Sequence, residues 1–332
     1  MNALNHNAHQ DAFEVIASDK GLAGAFDWFC QQQVAEGYVD PEKLKINTLF
    51  SQHSNAYDLD FKILINRVRD AYASQVVGND DKPKKKYCPL CVKYIDDLGQ
   101  NKKQIIYLDI NKRGYVLSLT PFPSFKKHLV LSLKEHQPMF MNNNTIADLV
   151  NLQSRLGDGY SIVSNSDNPK TGASIVEHHH VQVLDQRHFP VADAKIIHQK
   201  KVNNVLIEQL NFPATVIRLS SASAQDLIQE AQSFLSYWRS IDSANTCNLW
   251  LRKTNHTYDI YFILRNPSYE TDPSLFRYKT EGVGIIEMCG FGIFPTPKAD
   301  TDIILNELQD NVAPLIIMLL QSHAPSFPAD YF

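Results

Sequence analysis

"GASIVEHHHVQVL", residues 172–184, sets three adjacent histidines between a small-residue run and a Val-Gln-Val-Leu tail. Read as a β-strand, it alternates its side chains. His178 and His180 then share one side with Gln182, while His179 points the other way and Val181 and Val183 form an apolar face. Gly172, Ala173 and Ser174 stand just before. Residues this small let backbone N–H groups approach a phosphate closely. A phosphate cradle leading into a histidine-bearing strand is one reading; a metal cluster and a plain polar patch are the others.

Further out, Cys88-Pro-Leu-Cys91 has the spacing of half a zinc site. The chain has no second such pair, so any further ligands are histidine or carboxylate. Two cysteines in a turn is the bland alternative. A thioredoxin-like redox role needs a βαβ setting, which the sequence does not offer. His128 and His136 frame "HLVLSLKEH" and fall near one face or rim of a strand. Each taken alone reads as a structural or surface histidine.

The chain of 332 residues has room for one large domain or two ordinary ones. Its 44% hydrophobic and 20% charged residues suit a folded globule. A net charge of −4 gives no basic surface for a nucleic-acid backbone, and the run Lys82–Lys86 reads as a solvated loop. No apolar run reaches the roughly 20 residues that span a bilayer, and the first residues lack the form of a secretory leader. Five sparsely used cysteines fit a reducing cytoplasm.

Residues 10–55 read as mostly helical, with Phe13, Ile16, Leu22, Phe26 and Phe29 at helical intervals. Strands are expected at the start of 58–70, at 105–110, 114–120, 128–133 and over "HHHVQVLDQ". A helix running into a strand is expected over 144–165. After about residue 190 the pattern restarts: short strands over 201–221, an amphipathic helix over 223–241, a hairpin over 248–267, a strand-like stretch over 281–295 and a last helix over 300–323. Strands with a few helices beside them predict an α+β fold with mainly antiparallel sheet.

Four stretches in order resemble the histidine-triad (HIT-like) superfamily, in the branch of galactose-1-phosphate uridylyltransferase, ATP adenylyltransferase (diadenosine tetraphosphate phosphorylase) and GDP-hexose phosphorylases. They are "INRVR" (65–69), "CPLC" (88–91), "TPFPSFKKHLVLSLKEH" (120–136) and "NPKTGASIVEHHHVQ" (168–182). The match is closest to an uncharacterised bacterial family of that branch. It covers residues 58–185 well and the second half weakly. It implies two HIT-like halves in one chain: an N-terminal helical segment (1–57) packed on the core, a catalytic half (58–188) and a C-terminal half (189–332).

The resemblance also implies roles. His180 is the nucleophile that forms a covalent nucleotidyl-histidine. Cys88, Cys91, His136 and His178 bind a structural Zn²⁺, closed because all four positions come from protein. Ser174, with the backbone around Gly172 and Ala173, holds phosphate oxygens, and Asn168, Lys170, Arg69 and Arg265 are further substrate contacts. Gln182 stands where HIT hydrolases carry a third histidine, which favours transfer to phosphate or a sugar phosphate over transfer to water. The implied partner is a nucleotide or nucleotide-sugar, with no nucleic acid or membrane, in a monomer or homodimer.

Several residues depart from the pattern. Arg67 replaces a proline, and one extra residue separates Ser174 from the histidines. Glu177 either orients a ligand histidine or faces the phosphate; His179 is structural or solvated. Asn266, Arg277 and Lys279 are substrate-facing or plain surface, and Glu287 is left without a role. The competing functions are a HIT-type nucleotide hydrolase and a zinc-stabilised nucleotide-binding scaffold with a degenerate site.

Overall fold

A computed structural model of the protein describes residues 3–67, 88–94, 103–120, 123–172, 175–186, 188–279 and 282–332. Arg69, Ala173 and Ser174 lie outside the described residues, as does the run Lys82–Lys86.

Helix α1 (Ala3–Ala35) turns sharply at Gly21, whose φ of 74° is left-handed. Its Phe13, Leu22, Phe26 and Phe29 are buried in the main core. The helical reading of 10–55 holds only this far. Thr48–Ser54 forms strand β1, antiparallel to β2 (Leu59–Ile65). The sequence hid β1 because its exposure alternates without an apolar run.

Ten further strands build one sheet. In chain order these are β3 (Ile106–Ile110), β4 (Arg113–Leu119), β5 (His128–Leu133), helix α2 (Asn143–Leu156), β6 (Tyr160–Ser164) and β7 (His180–Asp185). Then come β8 (Ile196–Val202), β9 (Val205–Leu210), β10 (Val216–Ser221), helix α3 (Ala224–Ile241), β11 (Thr246–Thr254) and β12 (Thr257–Arg265). The spatial order is β3-β4-β5-β7-β6-β11-β12-β10-β9-β8. Each half therefore runs strand, strand, strand, helix, strand, strand, and orders its strands identically from the sheet edge inward. The halves meet at the antiparallel pair β6–β11, where Val163 faces Trp250. This is the α+β, two-half architecture that the motifs imply.

Local signals explain the two sheet helices. Asn142 and Ser223 accept the N–H groups of Thr145 and Asp226 at the helix starts, caps each worth about 1 kcal/mol. Their apolar faces, with α1, bury one side of the sheet, including Val181 and Val183. The opposite side carries Val163, Leu184, Trp250 and Tyr261. It is covered by a small sheet, β1-β2-β13, and by the C-terminal helices.

Two C-terminal expectations change in detail. The stretch 281–295 is a one-turn helix α4 (Ile285–Met288) followed by β13 (Phe291–Phe294), parallel to β2. The last helix is two, α5 (Thr301–Asp310) and α6 (Val312–Ser322), bent by 85°. No single helix among the described residues is long and apolar enough to cross a membrane.

Candidate active site and metal centre

Strand β7 begins at His180, two residues later than the alternation suggested. His178 and His179 continue along the end of β5 by backbone bonds: His179 N–H donates to Gln137 O (2.6 Å), and Leu133 N–H to His179 O (3.0 Å). The three histidines leave this stretch for three environments.

His178 turns toward the cysteine segment. Its Nδ1 is 3.2 Å from Cys88 Sγ and 3.6 Å from Cys91 Sγ, and His136 Nδ1 is 3.1 Å from Cys91 Sγ. All four ligand atoms lie within 4.8 Å of one another. A tetrahedral zinc with ordinary bond lengths separates its ligands by roughly 3.3–3.8 Å, so this donor set fits the ion. His178 Nε2–H donates to Leu133 O at 2.8 Å, which leaves Nδ1 as the coordinating nitrogen and fixes the ring plane. Cys88, Cys91 and His178 are buried and His136 is exposed. The group joins the Cys88–Tyr94 segment, the end of β5 and the entrance to β7.

His179 is structural. It is buried and stacks on Phe140 with ring centroids 4.2 Å apart. Burial, aided by the Arg113 charge, pushes its pKa down to about 3. Glu177, next in line, is exposed.

His180 is 7% exposed. Its Nδ1–H donates to the His178 carbonyl at 2.9 Å, so the lone pair resides on Nε2, which no described residue engages. Burial holds its pKa below the usual 6.5, partly offset by that hydrogen bond, so the ring is neutral at neutral pH. A neutral, oriented imidazole with one free nitrogen is a nucleophile.

Gln182 lies two residues on along the same strand face. Ser124 N–H donates to His128 Nδ1 (3.2 Å), so His128 carries its proton on Nε2 and donates to Gln182 Oε1 (2.6 Å). The amide oxygen is thus engaged, which leaves the amide NH₂ as the donor. The sequence marks His128 only as a structural or surface histidine near a strand rim. Its link to Gln182 follows from the β5–β7 register, in which Val130 faces Gln182.

The turn before the histidines is built by its own residues. Asn168 Oδ1 accepts Lys170 N–H (2.9 Å) and caps a single turn over Pro169–Thr171. Gly172 follows with φ 101°. A Cβ there would sit 2.2 Å from Val283 O, so only glycine fits against this backbone. Lys170 is exposed and pairs with Glu270 at 3.2 Å. Arg67 N–H donates to Asn47 Oδ1 (2.9 Å), a bond that a proline at this position could not make.

Residues from the second half behave differently. Arg265 is fully buried, with its donors on Asn248 and Val283. Asn266 bonds Asp242 and Asn245, and Arg277 pairs with Glu307 at the surface. Lys279 and Glu287 form a buried pair at 2.9 Å, and Glu287 also caps Gly284 N–H.

The duplicated topology identifies what replaces the site in the second half. One row of facing residues runs Val130, Gln182, Val163, Trp250, Tyr261, Arg218 across the centre of the sheet. Tyr261 therefore occupies the place of Gln182, and Asp259 that of His180. Tyr261 stacks on Trp250 (4.6 Å). Arg218 and Arg252 lie over this pair, held by Glu208 and Asp259. Asp259 is held by Ser220 (2.6 Å) and Arg252 (3.3 Å), so the second half presents a paired carboxylate where the first presents the His180 imidazole.

Residues 31–185 match a family profile described as a domain of unknown function (DUF4922). The galactose-1-phosphate uridylyltransferase of Clostridium acetobutylicum is 24% identical over 307 residues, covering 82% of this chain and 61% of that protein. The enzyme of the same name from Lactococcus lactis subsp. lactis is 26% identical, covering 86% and 64%. The chain thus spans about three fifths of the length of these curated relatives. Among solved structures, yeast Ap4A phosphorylase Apa2 superposes with TM-score 0.56 at 15% identity, covering 92% of this chain and 95% of that one. Its complex with Ap4A gives TM-score 0.58, covering 90% and 97%.

Proposed function

From a HIT-like fold of the branch that holds galactose-1-phosphate uridylyltransferases and Ap4A phosphorylases, we propose that this chain is a nucleotidyltransferase or phosphorylase acting through a covalent nucleotidyl-histidine. The observation that carries the reading is His180, whose Nδ1 is tied to the His178 carbonyl while Nε2 stays free.

In the first step Nε2 attacks the α-phosphorus of a nucleoside-diphosphate sugar or dinucleoside polyphosphate. The N–P bond forms, and the P–O bond to the leaving sugar phosphate or nucleotide breaks. In the second step phosphate or a sugar phosphate attacks the same phosphorus, and the N–P bond breaks. The Gln182 amide, aimed by His128, donates to a phosphoryl oxygen as charge builds. The Asn168–Gly172 turn, with Ala173 and Ser174, Lys170 and Arg69, takes the remaining phosphate charge. Zinc, when bound by Cys88, Cys91, His136 and His178, serves as a closed structural ion.

Initial rates test the two-step scheme. Varying donor at several acceptor concentrations gives parallel double-reciprocal lines; intersecting lines would mean direct transfer without the histidine adduct. Gln182→Glu puts a negative charge where the amide donates. Its kcat falls by roughly 10²–10³-fold, the cost of losing one donor to the transition state, and an unchanged kcat would remove Gln182 from the chemistry.

A further inference from the structure

The phosphate-binding turn in the first half rests on backbone from the second. Gly172 packs so closely on Val283–Gly284 that a methyl group would overlap the Val283 carbonyl oxygen. Two side chains hold that strip in place, one from each half. Asn165, just after β6, accepts Ile285 N–H on Oδ1 (2.8 Å). Arg265, the last residue of β12, donates from Nη1 to Val283 O (3.0 Å) and to Asn248 Oδ1 (2.7 Å). Asn248 Nδ2 completes the line at 3.5 Å from Asn165 Oδ1.

Arg265 is an unusual choice for a merely mechanical strut. It is 1% exposed, and its Nε is buried with no partner. Its other contact is the ring of His323, Nη2 lying 3.4 Å from Nδ1. Among the described residues no carboxylate forms an ion pair with it; the Glu287 carboxylate is held by Lys279. A buried guanidinium whose hydrogen-bond partners are all neutral is costly, and the Glu287 charge that acts on it is shared with Lys279. The strain shows in its acidity, which burial lowers to about 9. A neutral donor such as glutamine could satisfy the same carbonyl. What glutamine lacks is a fixed positive charge one backbone layer beneath Gly172.

We infer that Arg265 is a positioning residue for phosphate: it holds the Val283 carbonyl against Gly172 and sets a positive charge with no ion-pair partner among the described residues under the turn that receives an anionic ligand. This rests on the nucleotidyltransferase reading, and it moves Arg265 from touching substrate to acting through the floor of the site. The field of a buried charge reaches a ligand several ångströms away because low-dielectric surroundings screen it weakly.

The test measures binding of AMP, UMP and GMP beside adenosine, uridine and guanosine to the full-length chain by calorimetry. Arg265→Met and Asn248→Asp are compared with wild type. Asn248→Asp retains the guanidinium and neutralises it with an adjacent carboxylate, so it reports on charge even if Arg265→Met fails to fold. Both variants should weaken the monophosphate that wild type binds by 10-fold or more and leave the matching nucleoside within 2-fold. Arg265→Lys should recover part of the loss. Equal weakening of nucleoside and nucleotide would make Arg265 a general packing residue, and unchanged monophosphate affinity in Asn248→Asp would remove the charge effect. Both results overturn the inference and leave the function reading standing. Wild type binding none of the three monophosphates would overturn both.

Discussion

His180→Asn abolishes nucleotidyl transfer and leaves the protein folded. The loss in kcat is about 10⁴-fold or more, the scale seen when a covalent nucleophile is removed. The reason is specific to the atoms. Asparagine retains a donor for the His178 carbonyl, which His180 Nδ1 now satisfies. It offers no basic nitrogen to form the N–P bond. The side chain faces the site side of β7, away from the core packed around Val181 and Val183. The melting temperature therefore falls by no more than about 3 °C, as for a substitution of about 1 kcal/mol. Steady-state assay and thermal unfolding on one preparation check both halves. Transfer at the wild-type rate would contradict the covalent scheme.

Cys88→Ser has the second largest effect, and it falls on stability first. The Cys88 thiol is one of four donors, gathered within 4.8 Å, that would hold zinc between the Cys88–Tyr94 segment, the end of β5 and the entrance to β7. Serine is a poor zinc ligand, and three remaining donors hold the ion far less tightly. Bound zinc drops from one equivalent to near zero. The loss of a structural metal costs about 4 kcal/mol or more, which lowers the melting temperature by about 8 °C or more. Transfer falls as a consequence, by about 10–100-fold, because the turn bearing His178 also supplies the carbonyl that orients His180. Metal analysis of the purified variant checks the premise. A full equivalent of zinc in Cys88→Ser would break the ligand set.

Much of this site was legible in the chain. Cys88, Cys91, His136 and His178 come together as three of the four motifs implied, because few side chains can serve as zinc donors. The α+β class also followed, since the strands and helices of each half carry period-2 and period-3.6 patterns.

What stayed hidden depends on which strands meet. The motifs imply two halves, but no sequence repeat pairs their residues. Tyr261 and Asp259 replace Gln182 and His180, and only the facing row across β5, β7, β6, β11, β12 and β10 aligns them. His128 gains its meaning from the β5–β7 pairing, which sets it against Gln182. Strand β1 escaped because it lies at the edge of the small sheet with alternate residues in solvent. Arg265 looked like a substrate contact because its charge is visible in sequence and its burial is not.

The most direct measurement is the intact mass of the protein after brief incubation with GDP-, UDP- and ADP-sugars and with diadenosine tetraphosphate, wild type beside His180→Asn. Wild type alone is expected to gain the mass of one nucleoside monophosphate per chain, since the second half presents Asp259 and Tyr261 where the first has His180 and Gln182. An adduct of the same mass on His180→Asn, or no adduct from any of these donors on folded, zinc-loaded wild type, would contradict it.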